Sequence, residues 1–298
     1  MKNYVIITDS SCNLNSDQLN KYGIKCLPMH FYINEKAYDA NGDWTDFPAK
    51  NYYDIIRGGQ RITSSQVTSL QYEQAFTEVV ESGCDVLSIS CTGALSSSVN
   101  ESKVAREKVL KKYPTASISC VDSANSCYAL GMVVLAAAKM QKQGKSMSEV
   151  AEWIENNKRK FNEVGTVEKL IYLKQAGRVS ATAAFFGGLL GVKPIVVSDD
   201  VGHNVAVEKV KGRIKSFERL ADYVEKYALP EENNEIYIVH GDCLEDAQTV
   251  GEMIKKRFPD TELKITCTYI EPGVGSACGP GTIIVDFFGK EEIRTKLK

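Results

Sequence analysis

Short apolar runs alternate with helix-forming segments through the first half of the chain, and this alternation limits the fold more narrowly than any other feature of the sequence. Strands are predicted at 4–8, 24–33, 84–90 and 115–121. The main helices are predicted at 68–83, 98–112, 126–143 and 146–161. Regular alternation of strands and helices is typical of a parallel sheet covered by helices. The first half is therefore predicted to be an α/β domain.

The second half has a different pattern, which predicts a second domain. Strand-forming runs at 193–197 and 205–210 flank a polar turn, as in an antiparallel pair. The segment 181–190 is almost wholly apolar, and we interpret it as a buried helical hairpin. The predicted fold is a two-lobed α/β protein, with a parallel-sheet domain over 1–162 and an α+β domain over 163–298.

The composition argues against several classes of function. A formal net charge of −2 provides no electrostatic basis for binding nucleic acid. No apolar stretch approaches the roughly 20 residues that span a bilayer, and no signal peptide is recognised, so we expect a cytoplasmic protein. The nine cysteines include no C-x-x-C pair and no zinc-type spacing. Neither a metal nor a cofactor is predicted.

Four apolar runs each lead into a turn rich in hydroxyl groups. These turns lie at 8–11, 63–65, 88–98 and 121–123. In an open α/β sheet, ligands bind at the carboxyl ends of the strands, where such turns meet. Hydroxyls without a neighbouring base can donate hydrogen bonds but are poor nucleophiles. We therefore expect ligand binding at 63–68 and 96–98, while 8–11 and 122–126 are expected to cap helices and shape the rim.

Two further segments each leave two interpretations open. The glycine-rich segment 273–282 lacks the Gly-Lys-Ser/Thr ending of a P-loop and the G-x-S-x-G pattern of hydrolases. It is either a turn that leads into the last strand or a place where the backbone approaches a ligand closely. The segment 174–178 either ends a helix at Gly177 or presents a cation at the domain interface.

Two alternatives to a ligand carrier also follow from the sequence. A serine hydrolase would use His240 and Asp242, which follow the strand-forming run 236–239, although the sequence identifies no partner serine. A small-anion or phosphate-binding protein would use the segment 273–281. His30 and His203 are interpreted as packing or solvent-facing residues.

Taken in order, several motifs resemble those of the DegV family of bacterial fatty-acid-binding proteins. They are Ile7-Thr8-Asp9-Ser10-Ser11, Ser64-Ser65-Gln66-Val67-Thr68, Leu95-Ser96-Ser97-Ser98, Val121-Asp122-Ser123, Leu173-Lys174-Gln175-Ala176-Gly177-Arg178-Val179, Lys193-Pro194-Ile195 and Gly279-Pro280-Gly281. The resemblance spans almost the whole chain. It implies a protein without catalytic activity that holds one long-chain fatty acid in a tunnel between two lobes. Some members present that acid to a separate fatty acid kinase.

The resemblance also implies which residues hold the ligand. Ser64 and Ser96 stand where the family has residues that bind the carboxylate. The further residues expected near the carboxylate are Ser65, Ser97, Ser276 and Ala277. The walls of the tunnel are expected to include Met29, Phe31, Phe185, Phe186 and Leu189. Ala277 stands where many members have a histidine, and this departure concerns the kinase partnership more than lipid binding.

Overall fold

Two large sheets and one small sheet organise the protein, and the computed structural model describes residues 3–179 and 191–295. The strands are β1 (Tyr4–Asp9), β2 (Lys25–Leu27), β3 (His30–Ile33), β4 (Lys36–Asp39), β5 (Thr63–Ser65), β6 (Asp85–Ser90), β7 (Ile118–Asp122), β8 (Phe161–Thr166), β9 (Val192–Ser198), β10 (Asn204–Lys211), β11 (Glu235–His240), β12 (Lys264–Tyr269) and β13 (Ile283–Phe288). The helices are α1 (Ser16–Tyr22), α2 (Ala49–Arg57), α3 (Ser69–Glu81), α4 (Ser98–Lys112), α5 (Cys127–Lys142), α6 (Met147–Asn157), α7 (Ile171–Ala176), α8 (Arg213–Tyr227), α9 (Leu244–Arg257), α10 (Pro272–Cys278) and α11 (Glu292–Thr295).

The first sheet has the strand order β2-β1-β6-β7 and is parallel throughout. Its strands therefore end on one common edge, where the hydroxyl-rich turns after β1, β6 and β7 meet. The second sheet has the order β10-β9-β8-β13-β11-β12 and is mixed, since only β11 and β12 run parallel. The predicted combination of an α/β half with an α+β half is confirmed. β8 begins at Phe161, and the predicted domain division after residue 162 stays a prediction.

The predicted strand 24–33 is divided in the structure, and the prediction of one continuous strand is wrong. β2 ends at Leu27 and belongs to the parallel sheet, whereas β3 begins at His30 and pairs with β4 and β5 in a small antiparallel sheet. Pro28 lies at the division and has no N–H for a sheet hydrogen bond. The residues Thr63–Ser65 form β5 of this small sheet, although the sequence predicts a turn.

Helix α5 packs against both large sheets and joins them into one core. The buried core around it includes Ile6 and Leu87 of the first sheet and Tyr237 and Phe288 of the second. The helix approaches the 3₁₀ turn Ser10–Cys12 so closely that a Cβ at Gly131 would lie 2.4 Å from the Cys12 carbonyl oxygen. The apolar face of each sheet is therefore covered in part by the same helix.

Two carboxylates of the second sheet lie close to the first residues of α5. Glu163 and Asp286 face each other in the β8–β13 register, and burial raises the pKa of both. Glu163 accepts hydrogen bonds from Ser126 N at 2.8 Å and from Ser198 Oγ at 3.0 Å. The Arg294 guanidinium is also buried. Its positive charge opposes the effect of burial and lowers the pKa of Glu163. The buried Arg294 cation thus offsets part of the cost of burying the Glu163 carboxylate.

The nine cysteines are free thiols. Within residues 3–179 and 191–295, no group of three or more His, Cys, Asp or Glu side chains is placed to hold a metal ion. None of the helices in these two ranges is long and apolar enough to span a bilayer.

Candidate functional site

A cavity of about 90 Å³ lies where the carboxyl ends of β1 and β6 meet β5, α7 and α10. Its polar lining groups come from Ser11, Ser64, Gln66, Ser96, Ser126, Arg178 and Asn204. A chamber of about 30 Å³ adjoins it and shares Leu173, Asn204 and Cys278 with its lining. The surface of this chamber is mostly apolar, with Val167, Val196 and Ile284 among its walls. The site therefore has a polar outer end and an apolar inner end.

Ser64 and Ser276 are brought together at the polar end. Ser64 lies on β5 opposite Phe31, and its Oγ is 3.0 Å from Ser276 Oγ. The Gly273 carbonyl oxygen lies 3.2 Å from Ser64 Oγ and 2.8 Å from Ser276 Oγ. Ala277, the next residue of α10, also lines the cavity. Two hydroxyls and the backbone of α10 thus form one side of the polar end.

Ser96 lies in the turn between β6 and α4 and forms another part of the polar lining. Its Oγ is 3.0 Å from Ser98 Oγ and accepts a hydrogen bond from Ser98 N at 3.2 Å. Ser97 is exposed at the start of α4 and is absent from the cavity lining described here. Ser65 lies on the face of β5 opposite to Ser64, since side chains alternate along a strand. Its Oγ is 3.2 Å from the Tyr32 hydroxyl.

The residues predicted as tunnel walls have different positions. Met29 lines the cavity. Phe31 is completely buried beneath β5, where its ring contacts Tyr38 and Tyr52, and it belongs to the core of the first half. The remaining wall predictions fall outside the described residues, and these are Phe185, Phe186 and Leu189.

Arg178 reaches the polar end from α7, and both interpretations of the segment 174–178 hold. Gly177 ends α7 in a left-handed conformation with φ of 68°. Arg178 follows it, lines the cavity, and donates from Nε to the Leu95 carbonyl oxygen at 3.2 Å. The position of this cation beside Ser96 does not follow from the sequence. Ser11 and Ser126 also belong to the lining, although their turns were expected to shape the rim.

A second, wider space opens directly outside the polar end, and we name it the mouth pocket. Its volume is about 430 Å³, and it shares Ser64, Arg178 and Ala277 with the cavity, while Ser276 lines the mouth pocket alone. The other cations of its lining are exposed, and they are Arg57, Arg61 and Lys169. No carboxylate belongs to the part of its lining that the structure describes. The mouth pocket is therefore a positively charged entrance to the cavity.

Residues 273–278 of the glycine-rich segment belong to the helix α10, so the prediction of a turn is wrong for them, whereas 279–282 form the predicted turn into β13. Glu271 precedes the helix and accepts hydrogen bonds from Gly273 N and Val274 N. Because these backbone donors are already bonded, they are not open to a phosphate. Burial, with a smaller contribution from the nearby Asp9 carboxylate, raises the pKa of the Glu271 carboxyl to about 8. Gly279, at the end of the helix, has φ of 76° and lies where a Cβ would meet the Tyr172 ring at 2.4 Å.

His240 lies in an environment unlike that of a hydrolase base. It is 1% exposed, and burial lowers the pKa of its imidazole to about 4. Its Nδ1 accepts a hydrogen bond from Cys243 N at 3.3 Å, and its ring contacts Tyr269. Asp242 accepts hydrogen bonds from Arg57 and from the Tyr269 hydroxyl. The hydrogen bonds described for His240 and Asp242 connect neither of them to a serine hydroxyl.

The chain is similar to known proteins over almost its whole length. A model of the DegV family, described as uncharacterised proteins, matches residues 3–290. A DegV domain-containing protein of Clostridium perfringens is 39% identical over 291 residues, which are 97% of this chain and 98% of the relative. A stearic acid-binding protein from Eubacterium ventriosum is 25% identical and has a TM-score of 0.85, with coverage of 97% and 99%. A fatty-acid-binding DegV protein from Thermus thermophilus, 22% identical, shares the fold with a TM-score of 0.84 and coverage of 97% and 100%.

Proposed function

Because the chain belongs to the DegV family, we propose that it is a cytoplasmic carrier of a long-chain fatty acid. The observation that carries this proposal is the polarity of the site. Its outer end presents Ser64, Ser96 and Arg178, and its inner end leads into a chamber with mostly apolar walls. A ligand with one anionic end and one long apolar body matches both ends. Solved relatives that are named as fatty-acid-binding proteins support the same class of ligand.

The outer end would hold the carboxylate without reacting with it. A carboxylate that leaves water needs hydrogen bonds or a cation to replace its hydration. Ser64 and Ser96 supply hydroxyl donors from two sides, and Ser276 lies within hydrogen-bond distance of Ser64. Arg178 adds a positive charge, which hydroxyls alone do not provide. With His240 unconnected to a serine, we propose that the chain itself performs no chemistry on the ligand.

The apolar body of the ligand would supply most of the affinity. A sixteen-carbon acid buries about fourteen methylenes at roughly 0.8 kcal/mol each, or about 11 kcal/mol before the costs of association. The cavity and the chamber together are small for such a chain, with volumes of about 90 and 30 Å³. We therefore propose that the apolar walls separate when the chain enters.

The mouth pocket supports presentation of the bound carboxylate to a partner. Ser64 lines both the cavity and this entrance, and Ser276, which is hydrogen-bonded to it, lines the entrance, so a carboxylate held by Ser64 would face outward. Exposed cations at the entrance favour the approach of a phosphoryl donor, as presentation to a fatty acid kinase requires.

Charge-removing variants at Arg61 and Lys169 should retain fatty acid affinity and slow phosphoryl transfer by a purified kinase. If these variants supported phosphoryl transfer at the wild-type rate, the proposed presentation to a kinase would be contradicted, but the proposed binding of a fatty acid would not.

The binding proposal is tested by the ligand and by matched serine variants. Mass spectrometry of protein purified without detergent should detect a bound fatty acid. The double variant Ser64→Ala/Ser96→Ala removes two hydrogen bonds to a charged group, worth about 1.5–3 kcal/mol each, so affinity for oleate should fall at least about 100-fold. Ser65→Ala/Ser97→Ala is the control, because both hydroxyls lie outside the described lining. Equal affinities for the two double variants would refute the carboxylate site.

A further inference from the structure

A second pocket lies away from the cavity, between α5, α6 and the segment 230–235, and we name it the seam pocket. Its volume is about 620 Å³, which is within the range of about 300–1,000 Å³ for small-molecule sites. None of its described lining residues belongs to the cavity, the chamber or the mouth pocket. The seam pocket is therefore separate from the site of the proposed function.

The floor of the seam pocket is aromatic and aliphatic. Trp153 meets Phe161 edge-to-face with 6.2 Å between ring centroids, and Phe161 meets Phe288 in the same way at 5.2 Å. Met132 and Leu135 of α5 add aliphatic surface. The Lys160 ammonium already lies 5.8 Å from the centroid of Phe288, so Trp153 is the ring that we assign to a ligand. Tryptophan is also the ring that binds cations best.

The rim of the seam pocket is acidic. Glu231, Glu232 and Glu235 line it, and Lys139 is the single cation of the described lining. The Lys139 ammonium lies 3.5 Å from Glu235 Oε2, so it compensates the least exposed of the three carboxylates. Two exposed glutamates, Glu231 and Glu232, lie beside the aromatic floor without a second cation in this lining. The negative charge of this rim repels the carboxylate of a fatty acid and attracts a cation.

From the aromatic floor and the acidic rim together, we infer that the seam pocket binds an organic cation with a short apolar body. An alkylammonium group would lie against the face of Trp153, with its charge toward Glu231 and Glu232. Its alkyl body would contact Met132 and Leu135. The two sources of affinity are a cation–π contact and the burial of alkyl surface, and the glutamates add electrostatic attraction.

The two tryptophans of the chain make a direct test possible. Hexyltrimethylammonium is titrated into ¹⁵N-labelled wild-type protein, and the two indole N–H resonances are followed, with Trp153→Phe used to assign them. The Trp153 resonance should shift saturably. The Trp44 resonance should stay in place, since its ring lies in a separate cluster with Tyr52. Hexan-1-ol and hexanoate, which lack the positive charge, should bind at least about tenfold more weakly.

Variants distinguish the seam pocket from the fatty acid site. The double variant Glu231→Gln/Glu232→Gln should lower the affinity for hexyltrimethylammonium at least about tenfold. The control Glu107→Gln/Glu218→Gln, at exposed positions elsewhere, should leave this affinity unchanged. Ser64→Ala/Ser96→Ala should also leave it unchanged, and this result would hold even if the fatty acid proposal failed. A Trp153 shift that hexan-1-ol reproduces at equal concentration, or an affinity that Glu231→Gln/Glu232→Gln does not change, would overturn the inference.

Discussion

Replacement of Glu271 by glutamine should remove a large part of the pH dependence of stability. Glu271 is completely buried at the start of α10, and burial raises the pKa of its carboxyl from 4.5 to about 8. The folded protein therefore binds a proton at this site more tightly than the unfolded chain. The contribution to stability is complete below about pH 4.5 and is lost as the pH rises through about 8. At about 1.36 kcal/mol per pKa unit, the full change is on the order of 5 kcal/mol.

Glutamine matches the neutral acid in shape and keeps an oxygen that accepts from a backbone N–H of α10, but it does not titrate. We expect the free energy of unfolding in urea to fall more steeply with pH for the wild type than for Glu271→Gln. The difference between the two proteins should grow by about 3 kcal/mol between pH 5.5 and 8.5. Above pH 8 the variant should be the more stable protein.

Other buried acids, such as Asp9 and Asp286, also have raised pKa values, and they titrate in both proteins. Only the difference between the two profiles reports on Glu271. Glu149→Gln is the matched control, because this exposed helix-capping carboxylate has a pKa lowered to about 2 and does not titrate above pH 5.5. Parallel profiles for wild type and Glu271→Gln between pH 5.5 and 8.5 would refute the reasoning.

Three further predictions concern the core. Gly131→Ala should lower the free energy of unfolding by about 1–3 kcal/mol because α5 has no space for a Cβ, whereas Gly251→Ala, with its nearest contact at 3.4 Å, should be neutral or stabilising in the same urea experiment. Arg294→Met leaves Glu163 without its buried cation and should cost about 3–5 kcal/mol, measured by thermal unfolding at pH 7. His240, with a pKa lowered to about 4, should bind a proton mainly on unfolding, so stability should fall as the pH falls from 6.5 to 4, and His240→Gln should lack this loss.

The parts of the site that directly follow regular strands could be predicted from the sequence. The turns after β1 and β6 were predicted to lie at the carboxyl edge of a parallel sheet, and the structure brings Ser11 and Ser96 to that edge. Ser64 was expected near them because its segment is also rich in hydroxyls and because of the resemblance to a family. Its element was wrong, because β5 exists only through pairing with β3, some thirty residues earlier in the chain. Local patterns do not reveal such a pairing.

Two features of the site depend on longer-range contacts or on a signal that was overlooked. Arg178 reaches the Leu95 carbonyl oxygen across 83 positions of the sequence, and no local spacing predicts this contact. The helix α10 did have a local signal. Pro272 is a typical first residue of a helix, but the glycines that follow it suggested a turn. A Cβ at position 275 would lie 2.7 Å from the Tyr53 hydroxyl, which explains why a glycine stands inside that helix.

The position of α5 determines how this chain can be divided. Leu130 and Val134 belong to the same core as Ile6 of the first sheet and Phe288 of the second. A fragment that ends near residue 160 would keep α5 and expose an apolar face, so it should aggregate when it is produced alone. Its complementary fragment would lose the helix that covers its sheet. When the two fragments are produced together, they should associate and fold into the native structure. A cut at this point would therefore turn the protein into a two-fragment complementation reporter.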